Sequence, residues 1–356
     1  MYDLFILLNR FAKNYDGFQN MNHKERINAF HSLGIHFSIL IDEGGIELSH
    51  LLSEAKIENP WFTEKNVLSA MQNIVSWLDR TILTEWVSSY HIKDQLKPRN
   101  IGVIMAGNIP LVGFHDLLSI LITGHRAIIK FSHKDKVLMN YTIKRLVNIE
   151  PRFEDFIIAS DKPMKGVDAM IATGSNNSFR YFDRYFGELP HIFRNNRNGV
   201  AVLTNTEAQG ELDALAHDIF LYFGLGCRNV SKLYVIESLN AEALVNAFAE
   251  YKEIINHNKY GNNYEYQRAV LQLAQTPYVD LNNVLLKEDR SFSSPVGVLH
   301  YEIVENLAEA KTKIEANRNQ IQVTIGKDFV PFGLSQFPKV SDYADEVDVI
   351  SFLSQL

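Results

Sequence analysis

The sequence is poor in cysteine, in basic residues and in long apolar runs. Its 356 residues include one cysteine, so no disulfide can form within the chain. Lys and Arg number 35 against 42 Asp and Glu, which leaves a formal net charge of −7 and argues against nucleic acid as a partner. No stretch reaches the roughly 18 apolar residues of a membrane span, and the N-terminus does not resemble a secretory signal. We therefore expect a cytoplasmic protein without a membrane span.

Several common active-site motifs are missing as well. The 12 histidines show no His-x-x-x-His or Cys/His spacing, so no metal site is predicted. The Gly-x-Ser-x-Gly of serine hydrolases is absent. There is also no Gly-x-Gly-x-x-Gly and no Walker loop, so a bound dinucleotide would have to be held in a less common way.

The pattern of the chain changes near residue 100. Residues 1–98 carry apolar positions at helical spacing and predict a helical region, with Thr63 as a candidate cap. Later, short apolar runs alternate with helical patterns, which predicts parallel sheets covered on both faces. The predicted strands are residues 101–106, 127–131, 156–159, 169–172, 200–204, 233–236, 296–301 and 321–325. The predicted helices are residues 114–122, 136–147, 177–186, 207–223, 241–254 and 264–274.

Cys227 is the candidate nucleophile. It follows Gly224 and Gly226 and lies between a helical run and a strand. Glycines let a substrate approach the backbone, and a thiol at such a crossing can be reached from a cleft. A lone cysteine is also commonly a small buried hydrophobe, so the local pattern leaves a packing role open.

Three further turns follow predicted strands, at the edge where parallel sheets bind ligands. The amide of Asn108 is suited to stabilising an oxyanion or to capping the next helix. Lys130 is suited to a ribose or phosphate, or is simply solvated. Thr173, Gly174 and Ser175 open a helix whose N–H groups suit a pyrophosphate, although Ser175 would also serve as a plain cap.

In their order and spacing these stretches resemble the aldehyde dehydrogenase superfamily, most closely its LuxC-like fatty acyl-CoA reductases. The resemblance runs from about residue 99 to the C-terminus. Besides the strand ending at Lys130, it is carried by residues 99–111, 172–175, 223–235, 294–299, 330–334 and 343–353.

This resemblance implies an aldehyde dehydrogenase-like α/β fold with two parallel-sheet domains. Residues 1–204 would form a helical N-terminal region and a Rossmann-like domain for a nicotinamide cofactor. Residues 205–338 would form the catalytic domain. Residues 339–356 would contain a strand, near 347–352, that pairs with a neighbouring subunit, so we expect a homodimer or homotetramer.

The resemblance also implies roles for the candidate residues. Cys227 would attack the carbonyl of an acyl-CoA or other acyl thioester, with a fatty chain as in the family, while its backbone N–H and the Asn108 amide form the oxyanion hole. Hydride reduction of the enzyme-bound acyl group would then release an aldehyde. The cofactor-binding residues would be Lys130 at the ribose, Thr173, Gly174 and Ser175 beside the pyrophosphate and nicotinamide, and Ser132 and Lys134 nearby.

Three stretches depart from the superfamily's pattern. Residues 193–200 read Phe-Arg-Asn-Asn-Arg-Asn-Gly-Val where oxidising members have Glu-Leu-Gly-Gly-Lys, so the base that activates water is missing and reduction is favoured. Residues 130–134 lack the acid that would repel a 2′-phosphate, which favours NADPH, with NADH as the alternative. Residues 291–296 lack the Glu-x-Phe-Gly-Pro-Val run that grips the nicotinamide ribose.

Two alternatives keep the same fold. One is a different reaction of the same site, a CoA-acylating aldehyde dehydrogenase or an acyl-phosphate reductase. The other is a non-catalytic acyl-binding or scaffold protein. Retention of Cys227, Asn108 and the turn at residues 173–175 argues against the scaffold, because a decayed site would have lost at least one of them.

Overall fold

The described chain begins with a helical region. The computed structural model describes residues 21–92, 97–160, 164–174 and 176–356. Side-chain caps explain two of the helix starts: Asn22 accepts from the Glu25 backbone N–H at 3.0 Å, and Thr63, the predicted cap, accepts from that of Asn66 at 3.4 Å. The four helices are α1 (His23–Glu43), α2 (Gly45–Glu58), α3 (Glu64–Trp77) and α4 (Arg80–Ser88).

A first sheet follows, and all of its strand pairs are parallel. Its strands are β1 (Asn100–Ile104), β2 (Arg126–Lys130), β3 (Ile157–Ala159), β4 (Ala169–Thr173) and β5 (His191–Arg194), in the order β3-β2-β1-β4-β5. The helices between them are α5 (Phe114–Ile122), α6 (Lys136–Ile149) and α7 (Asn176–Phe186). The apolar runs of the central strands are fully covered, as expected for a parallel sheet between helices.

The second sheet has six strands and is parallel except for one edge pair. Its strands are β6 (Asn198–Leu203), β7 (Val230–Ile236), β8 (Val279–Asp280), β9 (Leu285–Glu288), β10 (Val298–Val304) and β11 (Ile321–Ile325), in the order β11-β6-β7-β10-β9-β8. Its helices are α8 (Gln209–Phe220), α9 (Ala241–Ala247), α10 (Asn258–Leu273) and α11 (Leu307–Ala316). The predicted α/β architecture with two sheets and a helical N-terminal region is thus confirmed.

The N-terminal helices and the first sheet share one hydrophobic core. Phe30 of α1 is fully buried, and its ring lies 6.4 Å from that of Phe114 on α5 and 5.6 Å from that of Phe153. Leu353, near the C-terminus, belongs to the same core. The helical region is therefore part of the first unit and not a separate body.

The C-terminal segment differs from the sequence-based prediction. Residues 347–352 were expected to form a strand that pairs with another subunit, but Val349–Ser354 is a short helix, α12. Val349, Ile350 and Leu353 follow helical spacing and are all buried in the core of the first unit. Because their apolar faces are covered within the chain, this segment does not supply the predicted strand, and the homo-oligomer stays a prediction.

The division of the chain at residue 204 also differs from the sheets observed. Strand β6, which the sequence analysis placed in the first unit, pairs with β7 and β11 in the second sheet. It follows β5 of the first sheet after three residues, so the chain passes from one sheet to the other at residues 195–197. Such a short crossing brings polar residues 195–198 between the two units.

Candidate active site

A cleft of about 790 Å³ lies between the two sheets and contains most of the predicted site. Cys227 and Asn108 both line it, together with Thr173, Gly174 and Lys134. The first sheet contributes the segments that follow β1, β2 and β4, and the second contributes the turn before β7. This is the carboxyl edge of a parallel sheet, where ligands bind in folds of this kind.

Asn229 holds the turn that carries Cys227. Its backbone N–H donates to the Gly226 carbonyl at 3.0 Å, and its Oδ1 accepts from the Gly226 N–H at 2.8 Å. Its Nδ2 donates to the carbonyls of Asp218, Ile219 and Leu221 at 3.0, 3.3 and 2.7 Å. The side chain is only 1 % exposed, so these bonds tie the cysteine turn to the end of α8 in a protected environment.

The chain reaches this turn through a left-handed stretch. Tyr222, Phe223 and Gly224 have φ angles of 55°, 58° and 75°. Side chains other than glycine rarely adopt this conformation, so the surroundings must hold it. The Phe223 ring packs 5.1 Å from that of Trp61 and 4.3 Å from that of His257, measured between centroids. The helical N-terminal region thereby helps to position the turn that carries Cys227.

Charged groups around Cys227 act on its thiol in opposite directions. The residue is half-buried, and burial raises the pKa of the thiol above its ordinary value. The guanidinium of Arg228 and then that of Arg194 offset part of this increase, whereas the carboxylate of Asp345 adds to it. The balance between these cations and the carboxylate therefore decides how much reactive thiolate is present.

Asn108 connects the first unit to the cysteine turn. Its Nδ2 donates to the Leu225 carbonyl at 2.8 Å, and the second N–H of that amide is not required for this bond. Buried Asp135 fixes the segment that follows Asn108. Its carboxylate accepts a hydrogen bond from the Leu111 backbone N–H at 2.8 Å, and Leu111 has a left-handed φ of 57°. The structure thus brings the predicted oxyanion donor into contact with the turn that carries the predicted nucleophile.

The proposed cofactor residues do not all lie in the cleft. Ser132, Lys134, Thr173 and Gly174 line it. Lys130 is exposed at the end of β2 and is not among the described residues that line the cleft. Ser175 lies outside the described residues.

Gly107 makes the first-sheet side of the cleft compact. A Cβ at this position would lie 2.4 Å from Ser132 Oγ and 2.7 Å from Ser132 Cβ. The backbone of residue 107 therefore packs directly on Ser132, whose Oγ accepts from the Lys134 N–H at 3.2 Å. The turns after β1 and β2 form one surface at the mouth of the sheet.

The sequence analysis missed an ion pair in this cleft. Arg194, the last residue of β5, donates through Nη1 to Asp116 Oδ2 at 2.7 Å, and both side chains are more than nine-tenths buried. Burial, the largest single effect, would lower the pKa of Arg194, but the charge and hydrogen bond of Asp116 together with the charges of Asp345 and Cys227 exceed it, so the pKa is raised. In the sequence, only the departure of residues 193–200 from the superfamily's pattern drew attention to Arg194. Asp116 lies in an ordinary helical pattern that gave no signal of an ion pair.

A carboxylate from the C-terminal segment was missed too. Asp345 lines the cleft, and its Oδ1 lies 3.4 Å from Nε of Arg197. Burial raises its pKa, while Arg197 and Arg194 counteract that effect. The family's carboxylate is absent from residues 193–200, as predicted, but the cleft as a whole is not free of carboxylates. Ser293 and Ser294, in the third departing stretch, also line it.

No group of three or more His, Cys, Asp or Glu side chains within residues 21–92, 97–160, 164–174 and 176–356 could hold a metal ion. Over the same part of the chain, no helix is both long and apolar enough to cross a membrane.

Solved structures with the same architecture include aldehyde dehydrogenases. The Mycobacterium tuberculosis enzyme in complex with NAD⁺ aligns with a TM-score of 0.63 at 13% identity, over 88% of this chain and 75% of that one. Aldehyde dehydrogenase 21 from Physcomitrella patens, in complex with succinate, aligns with a TM-score of 0.62 at 13% identity, over 86% and 74%. The chain therefore has the aldehyde dehydrogenase fold, as its sequence predicted.

Curated relatives by sequence are acyl thioester reductases. The long-chain acyl-protein thioester reductase of Aliivibrio fischeri is 25% identical over 189 residues, which is 47% of this chain and 39% of that protein. The long-chain acyl-protein thioester reductase 2 of Photobacterium leiognathi is 23% identical over 226 residues, 56% of this chain and 47% of that protein. The matched part thus spans less than half of either relative, and no family model matches the chain. The predicted resemblance to LuxC-like reductases is confirmed.

Proposed function

We propose that this protein reduces an acyl thioester, with a fatty acyl chain, to the aldehyde through an acyl group bound to Cys227. The observation that carries the proposal is the meeting of Cys227 and Asn108 with Thr173 and Gly174 in one cleft. The curated relatives support a thioester as the substrate class. Acyl-CoA and acyl-protein thioesters present the same reacting group, and both belong to the proposal.

The cleft fits a nicotinamide cofactor. Its volume of about 790 Å³ and its position at the carboxyl ends of β1, β2 and β4 suit a ligand of that size. Ser132, Lys134, Thr173 and Gly174 would hold it, and Lys134 favours NADPH because a lysine can pair with a 2′-phosphate. When bound, the reduced nicotinamide supplies a hydride. Lys130 stays a prediction from the family resemblance.

The residues of the chain perform the acyl transfer. The Cys227 thiolate attacks the thioester carbon, and the second N–H of the Asn108 amide and the Cys227 backbone N–H donate to the developing oxyanion. The exchange replaces one thioester by another, so it has little net energetic cost. Residues 193–200 offer no carboxylate at the stretch where oxidising members of the fold activate water, so hydrolysis of the acyl group lacks that base.

Turnover on a panel of substrates tests the proposal. Saturated acyl-CoAs of increasing chain length are supplied with NADPH or NADH, and loss of nicotinamide absorbance is followed for the native protein and for Cys227→Ala. We expect consumption by the native protein that disappears in the variant. If no thioester supports consumption with either cofactor, the proposal fails in favour of another substrate or a non-catalytic protein.

A further inference from the structure

Arg194 has buried hydrogen-bond donors without partners. The side chain is 6% exposed, yet its Nε and Nη2 make no hydrogen bond, and Oδ1 of its ion-pair partner Asp116 makes none either. A guanidinium has five N–H donors in a fixed fork, and a buried charged donor left unpaired costs free energy. One contact to Asp116 uses only part of that fork. Unpaired donors at this depth suggest that a ligand completes them.

The position of Arg194 indicates which ligand would accept from its unpaired donors. It ends β5 beside β4, and its carbonyl accepts from the Gly174 N–H at 3.3 Å, so it is fixed at the carboxyl edge of the first sheet. It lines the same cleft as Cys227, and the charges of the two side chains act on each other. A cation that lines the same cleft as a thiol stabilises anions formed there, which are the thiolate and the oxyanion that follows from its attack.

We propose that Arg194 is a catalytic residue that pairs with the Cys227 thiolate and then donates to the thioester oxygen during acyl transfer, with Asp116 as its positioning residue. This inference rests on the proposed function for its substrate. It assigns a cation to the stretch where oxidising members of the fold carry a carboxylate. At this position the site then favours attack by sulfur, and it lacks the base that would activate water there.

In the proposed acyl transfer, each bond that forms is matched by one that breaks. The Sγ–C bond forms while the carbonyl π pair moves to oxygen, where the free N–H groups of Arg194 donate. Collapse of the oxyanion restores C=O and breaks the bond to the leaving thiolate. That thiolate takes up the proton that Cys227 gave up, so no outside oxidant or reductant enters this step. Asp116 holds Nη1 and leaves the rest of the fork available.

The reactivity of the thiol tests the pairing without any substrate. The rate of alkylation by iodoacetamide is measured against pH for the native protein, for Arg194→Lys, and for Arg194→Met combined with Asp116→Asn so that no buried carboxylate is left alone. Arg228 and Asp345, which also act on the thiol, are retained in both variants, and in the double variant Asp345 loses only the Arg194 charge that lowers its pKa. We expect the pH midpoint of the alkylation rate to rise by about 1 pH unit or more in the double variant and to stay near the native value in Arg194→Lys.

A buried cation outside the cleft provides the matched control. Lys232 is 0% exposed and pairs with Glu302 at 2.6 Å within the second sheet. Lys232→Met should lower stability and leave the alkylation midpoint unchanged. An unchanged midpoint in the folded double variant would overturn the pairing of Arg194 with Cys227.

Single-turnover acyl transfer tests the second part of the proposal. Release of free coenzyme A from acyl-CoA, without nicotinamide, should be roughly 100-fold slower in the double variant, with little change in the substrate concentration at half-maximal rate. An equal rate would overturn the role at the oxyanion. If the native protein releases no coenzyme A from any acyl-CoA, the proposed function fails for that donor, whereas the alkylation profile still decides whether Arg194 pairs with the thiol.

Discussion

At the scale of single residues, the position of the proposed nucleophile, Cys227, depends on a buried asparagine. Asn229 joins the cysteine turn to the three carbonyls at the end of α8 and also caps the Gly226 N–H. Asp218, in that same helix end, accepts from the backbone N–H groups of Gly333 and Ser335 at 2.7 and 2.9 Å. One small network therefore fixes both the cysteine turn and the segment that faces it.

Replacing Asn229 should damage both stability and reactivity. In Asn229→Ala, the Gly226 N–H and up to three carbonyls lose their partner, and each buried group left unpaired costs about 1–3 kcal/mol. We expect the free energy of unfolding in urea to fall by at least about 2 kcal/mol and alkylation of Cys227 to slow down. Asn263→Ala is the control, because the Asn263 amide donates to the Lys259 carbonyl, at 2.8 Å, in a solvent-exposed hydrogen bond within α10. Equal losses in both variants would refute a special role for Asn229.

At the scale of elements, the turns after β1 and β2 must pack closely to shape the cofactor side of the cleft. Gly107 has no room for a Cβ, since Ser132 Cβ would be 2.7 Å away and cannot rotate out of reach. Any larger residue would push the two turns apart. The spacing of Ser132 and Lys134 from the turn that carries Asn108 would change with them.

Gly107→Ala should therefore weaken cofactor binding more than it affects the thiol. We expect the dissociation constant for NADPH, followed by nucleotide fluorescence, to rise about 10-fold or more, equivalent to about 1.4 kcal/mol. The alkylation rate of Cys227 should stay near the native value. Gly210→Ala is the control, because nothing lies within 4 Å of its added Cβ in helix α8. Unchanged NADPH affinity in Gly107→Ala would show that this packing does not shape the cofactor site.

The elements also show what local sequence patterns could and could not predict. The helix at residues 114–122 and the strand at residues 321–325 match the structure because their apolar spacing is regular and their burial is high. Cys227 and Asn108 were predictable since each lies in a short motif beside a strand. Arg194, Asp116 and Asp345 were not, because they meet only after three distant segments have packed together.

At the scale of the whole molecule, the C-terminal segment packs back against the N-terminal helices. Trp77 donates through Nε1 to the Pro338 carbonyl at 2.7 Å, and Trp86 donates to the Tyr343 hydroxyl at 2.8 Å. The same segment delivers Asp345 to the cleft. This return across the first unit explains the difference at residues 347–352, since an apolar run can be covered by another subunit or by its own chain, and sequence spacing does not distinguish these outcomes.

Buried histidines should make the whole fold sensitive to mild acid. His125 is fully buried between Arg99 N–H and the Leu353 carbonyl, at 3.2 and 3.0 Å, and burial lowers its pKa below the ordinary 6.5. Below pH 6.5 His125 becomes protonated in the unfolded chain more readily than in the folded chain, so the free energy of unfolding falls as the pH drops below 6.5. The pKa is also lowered by burial in His36, His115, His217 and His300.

A variant that cannot titrate at position 125 tests whether His125 contributes to this loss of stability in acid. His125→Gln keeps one donor and one acceptor but cannot titrate. We expect the native protein to lose more unfolding free energy than this variant between pH 7.5 and 5.5, by up to about 1.4 kcal/mol for each pH unit below 6.5. Asp135, Asp218 and Asp345, whose pKa values burial raises, oppose the trend equally in both proteins. Parallel pH profiles would contradict the role given to His125.

The central claim is that Cys227 carries the acyl group between a thioester and the hydride donor. The most direct measurement is oxidation of NADPH with a long-chain acyl-CoA, with the aldehyde trapped and counted, for the native protein and Cys227→Ala side by side. The account predicts one aldehyde for each NADPH consumed by the native protein and none for the variant. Aldehyde formation that persists in Cys227→Ala, or its absence from the native protein with every thioester, would contradict it.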